Sequence, residues 1–117
     1  MCYLFIAYPS CSTCSKAKKW LVENGVSFTE RNIQQENPTA SELRQWKEKS
    51  GLPLKKFFNT SGLIYKSMQL KEKLQEMPEE EQIRLLATNG MLVKRPLIIG
   101  EDIVLVGFQP EEWEKLK

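Results

Sequence analysis

The chain has 117 residues, of which 41% are hydrophobic and 27% are charged, and this predicts one compact domain with a real core. Its 17 basic and 15 acidic side chains leave a net charge of +2, which argues against direct nucleic-acid binding through a basic surface. The absence of histidine removes histidine-based catalysis and makes a zinc site hard to build, so we expect no bound metal.

The cysteines Cys2, Cys11 and Cys14 are too few for the disulfide scaffold of a small secreted protein. Residues 1–6 lack the basic segment of a signal peptide, and no stretch approaches the roughly 20 apolar residues of a membrane span. We therefore expect a cytoplasmic protein with no membrane partner.

The first third of the chain predicts a βαβ unit. Residues 2–7 form a continuous apolar run, which is typical of a strand buried on both faces. Apolar residues recur at helical spacing over residues 12–24, and Gly25 is typical of a helix end. A second strand is predicted over residues 26–32, so the two strands should be parallel with a right-handed crossover.

The middle of the chain is predicted to be almost wholly helical. Thr39 and Glu42 have the spacing of a capping box at the start of a helix. Leu70 and Leu74 recur at helical spacing, so residues 65–77 are predicted to form one continuous helix. The predicted helical stretches of this region are residues 39–50, 54–58, 65–77 and 79–90, the last one closed by Asn89 and Gly90.

The last third of the chain returns to a β pattern. The apolar runs 97–99 and 103–106 are separated by three residues that include Gly100, which predicts an antiparallel hairpin. A short final helix is predicted to open at Pro110, with Trp113 facing inward.

These elements together predict an α/β fold of the order βαβ, helical insertion, ββα, built around one mixed four-stranded sheet. This arrangement is a thioredoxin-like core with a helical insertion. We predict a single domain over residues 1–117, with its core at about 1–37 and 91–117 and the insertion at about 38–90.

Cys11 and Cys14 form a C-x-x-C pair between the first strand and the first helix. Such a pair can be half of a zinc site, a redox dithiol or a chance spacing, and the missing histidine and the βαβ context favour the dithiol. A helix N-terminus stabilises a thiolate, so Cys11 is the predicted nucleophile. Cys14, one turn further on, is the predicted resolving thiol that would close a redox disulfide with Cys11.

Three other residues allow more than one interpretation. Cys2, at the start of the first strand, is predicted to be a packed, unreactive thiol. Pro96 either punctuates the chain before the third strand or forms a cis peptide bond that lets a peptide approach the dithiol. Arg95 either holds an anion and lowers a thiol pKa, or is an ordinary surface charge.

Three segments carry a resemblance to a known family: residues 8–17 (YPSCSTCSKA), 50–62 (SGLPLKKFFNTSG) and 89–97 (NGMLVKRPL). Over nearly the whole chain, the sequence resembles the arsenate reductase (ArsC)/Spx family, and in particular its branch of small YusI-type and YffB-type proteins. The resemblance implies a thioredoxin-like fold interrupted by a helical subdomain and favours the cis interpretation of Pro96. It also implies that Ser10, Ser12, Thr13 and Pro96 help to position the substrate.

Arsenate reductases of this type use one catalytic cysteine, matched by Cys11, and three arginines that surround the oxyanion. The resemblance implies that Arg95 is one of the three, whereas Ser61 stands at the second position and no arginine lies near Gly107. An arsenate dianion would lose two sets of charge-assisted bonds, each bond typically worth about 1.5–3 kcal/mol. The incomplete triad therefore weighs against efficient arsenate reduction.

The expected function is that of a thiol–disulfide oxidoreductase acting on protein or small-molecule thiols and disulfides. No tightly bound cofactor is expected, and glutathione is the candidate co-substrate. The first alternative is a redox-sensing regulator of the Spx kind, which binds RNA polymerase through its α subunit. The second is an arsenate reductase that depends on glutathione and glutaredoxin.

Overall fold

The computed structural model describes residues 2–117 and has a mixed four-stranded sheet at its centre. The strands are Tyr3–Ala7 (β1), Phe28–Asn32 (β2), Leu97–Ile99 (β3) and Val104–Val106 (β4). Their order across the sheet is β2-β1-β3-β4, with β1 parallel to β2 and the other neighbouring pairs antiparallel. The predicted α/β fold and its mixed sheet are confirmed.

The helices occupy the positions that the apolar patterns indicate, with two exceptions described below. The α-helices are Ser12–Glu23 (α1), Ala40–Ser50 (α2), Leu63–Ser67 (α3), Leu70–Lys73 (α4), Glu79–Leu86 (α5) and Pro110–Trp113 (α6). Short 3-10 helices span Leu54–Phe57, Gly90–Leu92 and Glu114–Leu116. The predicted capping box of α2 is present, because Thr39 Oγ1 accepts from the Glu42 N–H at 3.1 Å and Glu42 Oε1 accepts from the Thr39 N–H at 3.0 Å.

The two faces of the sheet are covered by different parts of the chain. Successive side chains of a strand point to opposite faces, so Ile6 and Leu97 pack against the helical insertion, whereas Phe5 and Ile98 pack against α1 and the C-terminal helices. All four of these side chains are fully buried, and so is Trp113 on the α1 side. The sheet therefore separates a core under the insertion from a core under α1.

The predicted continuous helix over residues 65–77 is wrong. The chain forms α3 and α4 instead, separated by Gln69, whose φ of 53° is left-handed. At 100° per residue, a continuous helix would turn Leu70 roughly 140° away from Tyr65. The break at Gln69 lets Tyr65 pack partly against the core and buries Leu70 fully.

The last helix of the insertion also ends earlier than predicted. α5 stops at Leu86, and Asn89 begins a new 3-10 turn by accepting the Met91 N–H at 2.9 Å. Gly90 does not close α5 but lies against the backbone that follows β2, where an added Cβ would be 2.0 Å from the Ile33 carbonyl oxygen. Only a residue without a side chain permits this close approach between the insertion and the core.

Candidate active site

The junction between β1 and α1 places Cys11 at the start of a helix. Cys11 is the residue that precedes the first turn of α1, with an extended backbone at φ −88° and ψ 119°. Its N–H donates to the Tyr8 carbonyl at 3.0 Å, and its own carbonyl accepts from the Ser15 N–H at 3.1 Å. Its side chain does not cap the helix, so the thiol is free to react at an end that carries unpaired N–H donors.

The two thiols of the pair have contrasting surroundings. Cys11 is partly exposed, whereas Cys14, in the first turn of α1, is 4% exposed and packs among the apolar side chains of Phe5 and Ala17. Both are free cysteines. Because Cys14 lies inward of Cys11, a reactant from solvent reaches Cys11 first.

Several groups act on the charge of Cys11. Partial burial raises the pKa of the Cys11 thiol, but the backbone N–H of Cys14, the Cys14 thiol and the guanidinium of Arg95 lower it more, so the net pKa lies below its usual value of 9.0. A lowered pKa increases the thiolate fraction at neutral pH, and the thiolate is the nucleophilic form.

Cys14 is shifted in the opposite direction. Burial is the main cause that raises the pKa of Cys14 to about 12, and hydrogen bonding and charge from Cys11 add to it. The backbone of Tyr8 and the charge of Arg95 offset only part of this rise. The pair therefore divides into an ionisable outer thiol and a protonated inner thiol.

Arg95 lies in the loop before β3, which pairs with β1 and so brings the loop beside the dithiol. Its Cζ lies 5.2 Å from the centroid of the Tyr8 ring, a cation–π contact. The Nε and Nη1 atoms are buried and have no hydrogen-bond partner among residues 2–117. Arg95 is therefore only partly exposed, which favours a role at the site over an ordinary surface charge, and that role stays a prediction. The peptide bond between Arg95 and Pro96 is cis, and Pro96 is buried.

The other predicted site residues lie at the junction by their place in the sequence. Ser10, Ser12 and Thr13 flank Cys11 and are exposed to solvent. No hydrogen bond within the part of the chain that the structure describes gives their side chains a fixed partner, and their role in positioning a substrate stays a prediction.

The remaining arginines do not complete an oxyanion triad in the positions that the resemblance indicates. Ser61 is exposed and donates to Asn59 Oδ1 at 3.3 Å, and Gly107 is followed by Phe108, whose ring packs edge-on against Trp113. Elsewhere, Arg31 is paired with Glu42 and Arg44 with Glu80.

Tyr8 is a site residue that the sequence analysis did not single out. Its carbonyl accepts from Cys11, its backbone lowers the pKa of Cys14, and its ring lies under Arg95. The available signal was an aromatic residue at the end of the first strand, three positions before the first cysteine of the pair.

The prediction that Cys2 is packed and unreactive is wrong on burial. β1 begins at Tyr3, and Cys2 precedes it with its side chain exposed, 3.6 Å from Thr29 Oγ1. The apolar run that suggested a buried position begins at Cys2, one residue before β1, and the sheet does not cover this residue.

Residues 2–117 contain neither a candidate membrane span nor a candidate metal site. No helix in that range is long and apolar enough to cross a bilayer. The same residues contain no group of three or more acidic, cysteine or histidine side chains that could hold a metal ion.

The sequence matches the model of the ArsC family over residues 6–116. The chain belongs to the ArsC family. Among its relatives is YusI, an uncharacterized protein of Bacillus subtilis (strain 168), which is 51% identical and aligned over 98% of both chains.

Two further relatives of this ArsC chain lie on either side of YusI in similarity. The crystal structure of an ArsC family related protein from Bacteroides fragilis is 64% identical, covers 100% of this chain and 98% of its own, and superposes with a TM-score of 0.98. The global transcriptional regulator Spx of Bacillus subtilis (strain 168) is 30% identical over 89% of this chain and 78% of its own length. The family resemblance and the thioredoxin-like fold are thus confirmed.

Proposed function

We propose that this ArsC-family protein is a thiol–disulfide oxidoreductase in which Cys11 attacks and Cys14 resolves. The observation that carries the proposal is the arrangement of the pair, with a partly exposed Cys11 at the N-terminus of α1 and a buried Cys14 one turn further in. The opposite pKa shifts of the two thiols support the same division of roles.

In the first step, the Cys11 thiolate attacks one sulfur of a disulfide substrate. A bond forms between the Cys11 sulfur and that sulfur, the substrate S–S bond breaks, and the other half leaves as a thiolate. The positive charge of Arg95 favours the thiolate form of Cys11 before the attack.

In the second step, Cys14 attacks the Cys11 sulfur of the mixed disulfide. The thiolate of Cys11 no longer exists at that stage, so its contribution to the raised pKa of Cys14 is lost. Cys14 gives its proton to the departing substrate thiolate, and the substrate, now fully reduced, leaves a disulfide between Cys11 and Cys14.

Regeneration requires two electrons from an external thiol. We assign this role to glutathione, two molecules of which would reduce the Cys11–Cys14 disulfide and leave as oxidised glutathione. The cellular partners of such a cycle are therefore small-molecule and protein thiols of the cytoplasm.

The test is reduction of bis(2-hydroxyethyl) disulfide, with glutathione as the reductant, by the wild type and by single cysteine variants. Cys11→Ser should abolish activity, and Cys14→Ser should accumulate a mixed disulfide at Cys11 that mass spectrometry detects. Cys2→Ser is the matched control and should behave like the wild type. Wild-type behaviour of both Cys11→Ser and Cys14→Ser would refute the proposal.

A redox-sensing regulator is the second candidate, and similarity to Spx over 89% of the chain favours it. In this role, the Cys11–Cys14 disulfide would change the affinity of the protein for the α subunit of RNA polymerase. Pull-down of purified α subunit by the reduced and the oxidised protein tests it, with Cys14→Ser as the form that cannot be oxidised to this disulfide. No binding in either state would reject the regulator function.

Arsenate reduction with glutathione and glutaredoxin is a weaker third candidate. The two unpartnered buried nitrogens of Arg95 favour an anion beside Cys11, whereas the missing second and third arginines weigh against a tightly held dianion. A direct assay decides, and arsenate reduction that is unchanged in Arg95→Ala would contradict the anion role of Arg95.

A further inference from the structure

β4 is an edge strand whose outer side carries no other strand of the sheet. Its pairing with β3 determines which backbone groups face outward. The Gly100 N–H donates to the Ile103 carbonyl at 2.7 Å, and the Gly107 N–H donates to the Pro96 carbonyl at 2.8 Å. In an antiparallel ladder, such hydrogen-bonded positions alternate with outward-facing ones, so Val104 and Val106 direct their N–H and C=O groups away from β3.

The outward N–H and C=O groups of Val104 and Val106 form no backbone hydrogen bond with any other residue from 2 to 117. β4 itself also contains no proline and no charged side chain, the residues that commonly prevent an edge strand from pairing with another chain. Val106 is partly exposed, whereas Val104 lies at the bottom of the groove with 3% of its surface exposed. An incoming extended segment would therefore pair first with Val106 and reach the groups of Val104 once the side chains of the groove walls move aside.

The free edge forms the floor of a groove of about 670 Å³. One wall comes from the end of α2 and the 3-10 helix that follows it, and the other comes from α6 and its C-terminal extension. These walls lie on opposite faces of the sheet, so a segment in the groove would lie in the plane of the sheet with its side chains alternating between the walls.

The groove is predominantly basic. It is lined by Lys49, Lys55, Lys56, Lys94 and Lys115, against the carboxylates of Asp102 and Glu112. Glu112 is neutralised by Lys115 at 2.8 Å, whereas Lys55, Lys56 and Lys94 form no ion pair with any residue from 2 to 117. The free cations thus outnumber the one unpaired carboxylate, and the groove is complementary to a negatively charged segment.

We propose that this groove binds an extended acidic peptide of a partner protein, which adds to β4 as a fifth strand. Main-chain hydrogen bonds to Val104 and Val106 supply the pairing, and the lysines of the walls select acidic side chains. The groove adjoins the loop that holds Arg95, because Lys94 and Gly107 line its end. The binding does not depend on the thiol chemistry of Cys11.

The test uses an acetylated and amidated octapeptide of alternating glutamate and valine, titrated into the full-length protein. Chemical-shift changes in the NMR spectrum of the protein measure the affinity, and hydrogen exchange is measured at the amides of Val104 and Val106. We expect both amides to become protected on binding. We also expect affinity to fall about tenfold or more for a lysine–valine peptide, and for a glutamate peptide methylated on alternate backbone nitrogens.

Two double charge-reversal variants with the same net charge distinguish binding in the groove from ionic attraction to the rest of the surface. Lys55→Glu combined with Lys56→Glu should weaken binding about tenfold or more, whereas Lys71→Glu combined with Lys73→Glu, on α4 outside the groove, should change it less than about twofold. Circular dichroism checks that both variants are folded, and disulfide reduction by both should match the wild type.

The proposal is overturned if the peptide does not bind at about 1 mM, if N-methylation has no effect, or if both double variants lose affinity equally. The last two results would indicate general ionic attraction without strand pairing. A further outcome is that the protein without peptide sediments as a dimer and that the amides of Val104 and Val106 are already protected from hydrogen exchange. A second copy of the chain would then occupy the groove, and the proposal would be overturned.

Discussion

The β1–α1 junction, with the loop before β3 beside it, collects reactive and incompletely paired groups, whereas the helical insertion consists of helices packed on a buried apolar layer. At the junction, Arg95 keeps two buried nitrogens without partners beside the ionisable thiol of Cys11. In the insertion, α2 has a complete capping box, and Leu43 and Leu86 are fully buried. Among residues 2–117, the buried side-chain nitrogens and oxygens without a partner all belong to Arg95. Such groups cost stability, so their position beside Cys11 indicates that this region serves chemistry and that the insertion serves stability.

This contrast can be tested by variants that should affect one property and leave the other unchanged. Changes where the insertion joins the core should lower the free energy of unfolding without altering Cys11. Changes around Cys11 should alter its titration and reactivity with little effect on folding.

The largest effect is expected for Gly90→Ala. The added Cβ would lie 2.0 Å from the Ile33 carbonyl oxygen, so the backbone of either the insertion or the core must move. We expect a loss of about 3 kcal/mol or more in the free energy of unfolding, measured with urea, because overpacking against backbone cannot relax through a rotamer change.

Gly51→Ala is the matched control for Gly90→Ala. Gly51 has a φ of +70° and open space around its Cβ position, so the cost should be only about 1 kcal/mol, from backbone conformation alone. Equal losses in the two variants would contradict a contact-based role for Gly90, and a shifted titration of Cys11 in folded Gly90→Ala would contradict the separation of the two regions.

The next effect is expected at the ion pair between β2 and α2. Arg31 donates from Nη1 and Nη2 to the two carboxylate oxygens of Glu42 at 2.8 and 2.9 Å. Hydrogen bonding from Arg31 outweighs burial and lowers the pKa of Glu42 from its usual value of 4.5. Glu42→Gln keeps a side chain suited to the capping box and should cost about 2 kcal/mol at neutral pH.

The pH dependence gives this prediction a sign. A carboxyl with a lowered folded pKa stabilises the protein above its unfolded pKa, near 4.5, and this stabilisation disappears as the pH falls through the folded pKa. The difference in urea midpoint between the wild type and Glu42→Gln should therefore shrink as the pH falls below 4.5. Glu80→Gln, which breaks the exposed pair with Arg44, should have a much smaller effect, and the prediction fails if the two variants are equal.

The sheet and the α1 side of the fold follow directly from local patterns, whereas the insertion depends on contacts that the sequence does not display. Thr39 and Glu42 signal a helix start by themselves. By contrast, the left-handed turn at Gln69 is not signalled by any single residue. It becomes evident only when the directions of the apolar side chains before and after Gln69 are compared, because one continuous helix could not turn both sets toward the core. The role of Gly90 depends on the distant Ile33 backbone, and its neighbours in the sequence indicate only a turn.

A moderate effect, on chemistry alone, is expected for Arg95→Leu. The guanidinium helps to lower the pKa of Cys11, so its removal should move the midpoint of the Cys11 pH–alkylation profile upward. Below that midpoint, the alkylation rate should fall about tenfold, since one charge-assisted hydrogen bond is worth about 1.5–3 kcal/mol. Arg84→Leu, on α5, is the control and should leave the profile unchanged, and an unchanged midpoint in Arg95→Leu would refute the role of Arg95.

Only those parts of the candidate site that are close together in the sequence could be predicted from it. Cys11 and Cys14 are recognisable from the C-x-x-C pair, and the resemblance to a family favours the site role among the alternatives for Arg95 and the cis bond before Pro96. The proximity of Arg95 to Cys11 arises because β3 lies beside β1, a tertiary contact between distant segments. Tyr8 escaped notice because an aromatic residue at a strand end most often belongs to the core.

The smallest effect is expected for Tyr8→Leu. The Tyr8 ring lies 5.2 Å from Cζ of Arg95, and a cation–π contact of this kind is worth about 0.5–2 kcal/mol. Removal of the ring should let the guanidinium move, so the alkylation profile of Cys11 should shift in the same direction as in Arg95→Leu, with an approximately threefold fall in rate. Tyr8→Phe keeps the ring and every backbone hydrogen bond, so it should match the wild type. If Tyr8→Leu lowers the urea midpoint but leaves the Cys11 profile unchanged, Tyr8 contributes only packing, and the positioning of Arg95 must come from other contacts.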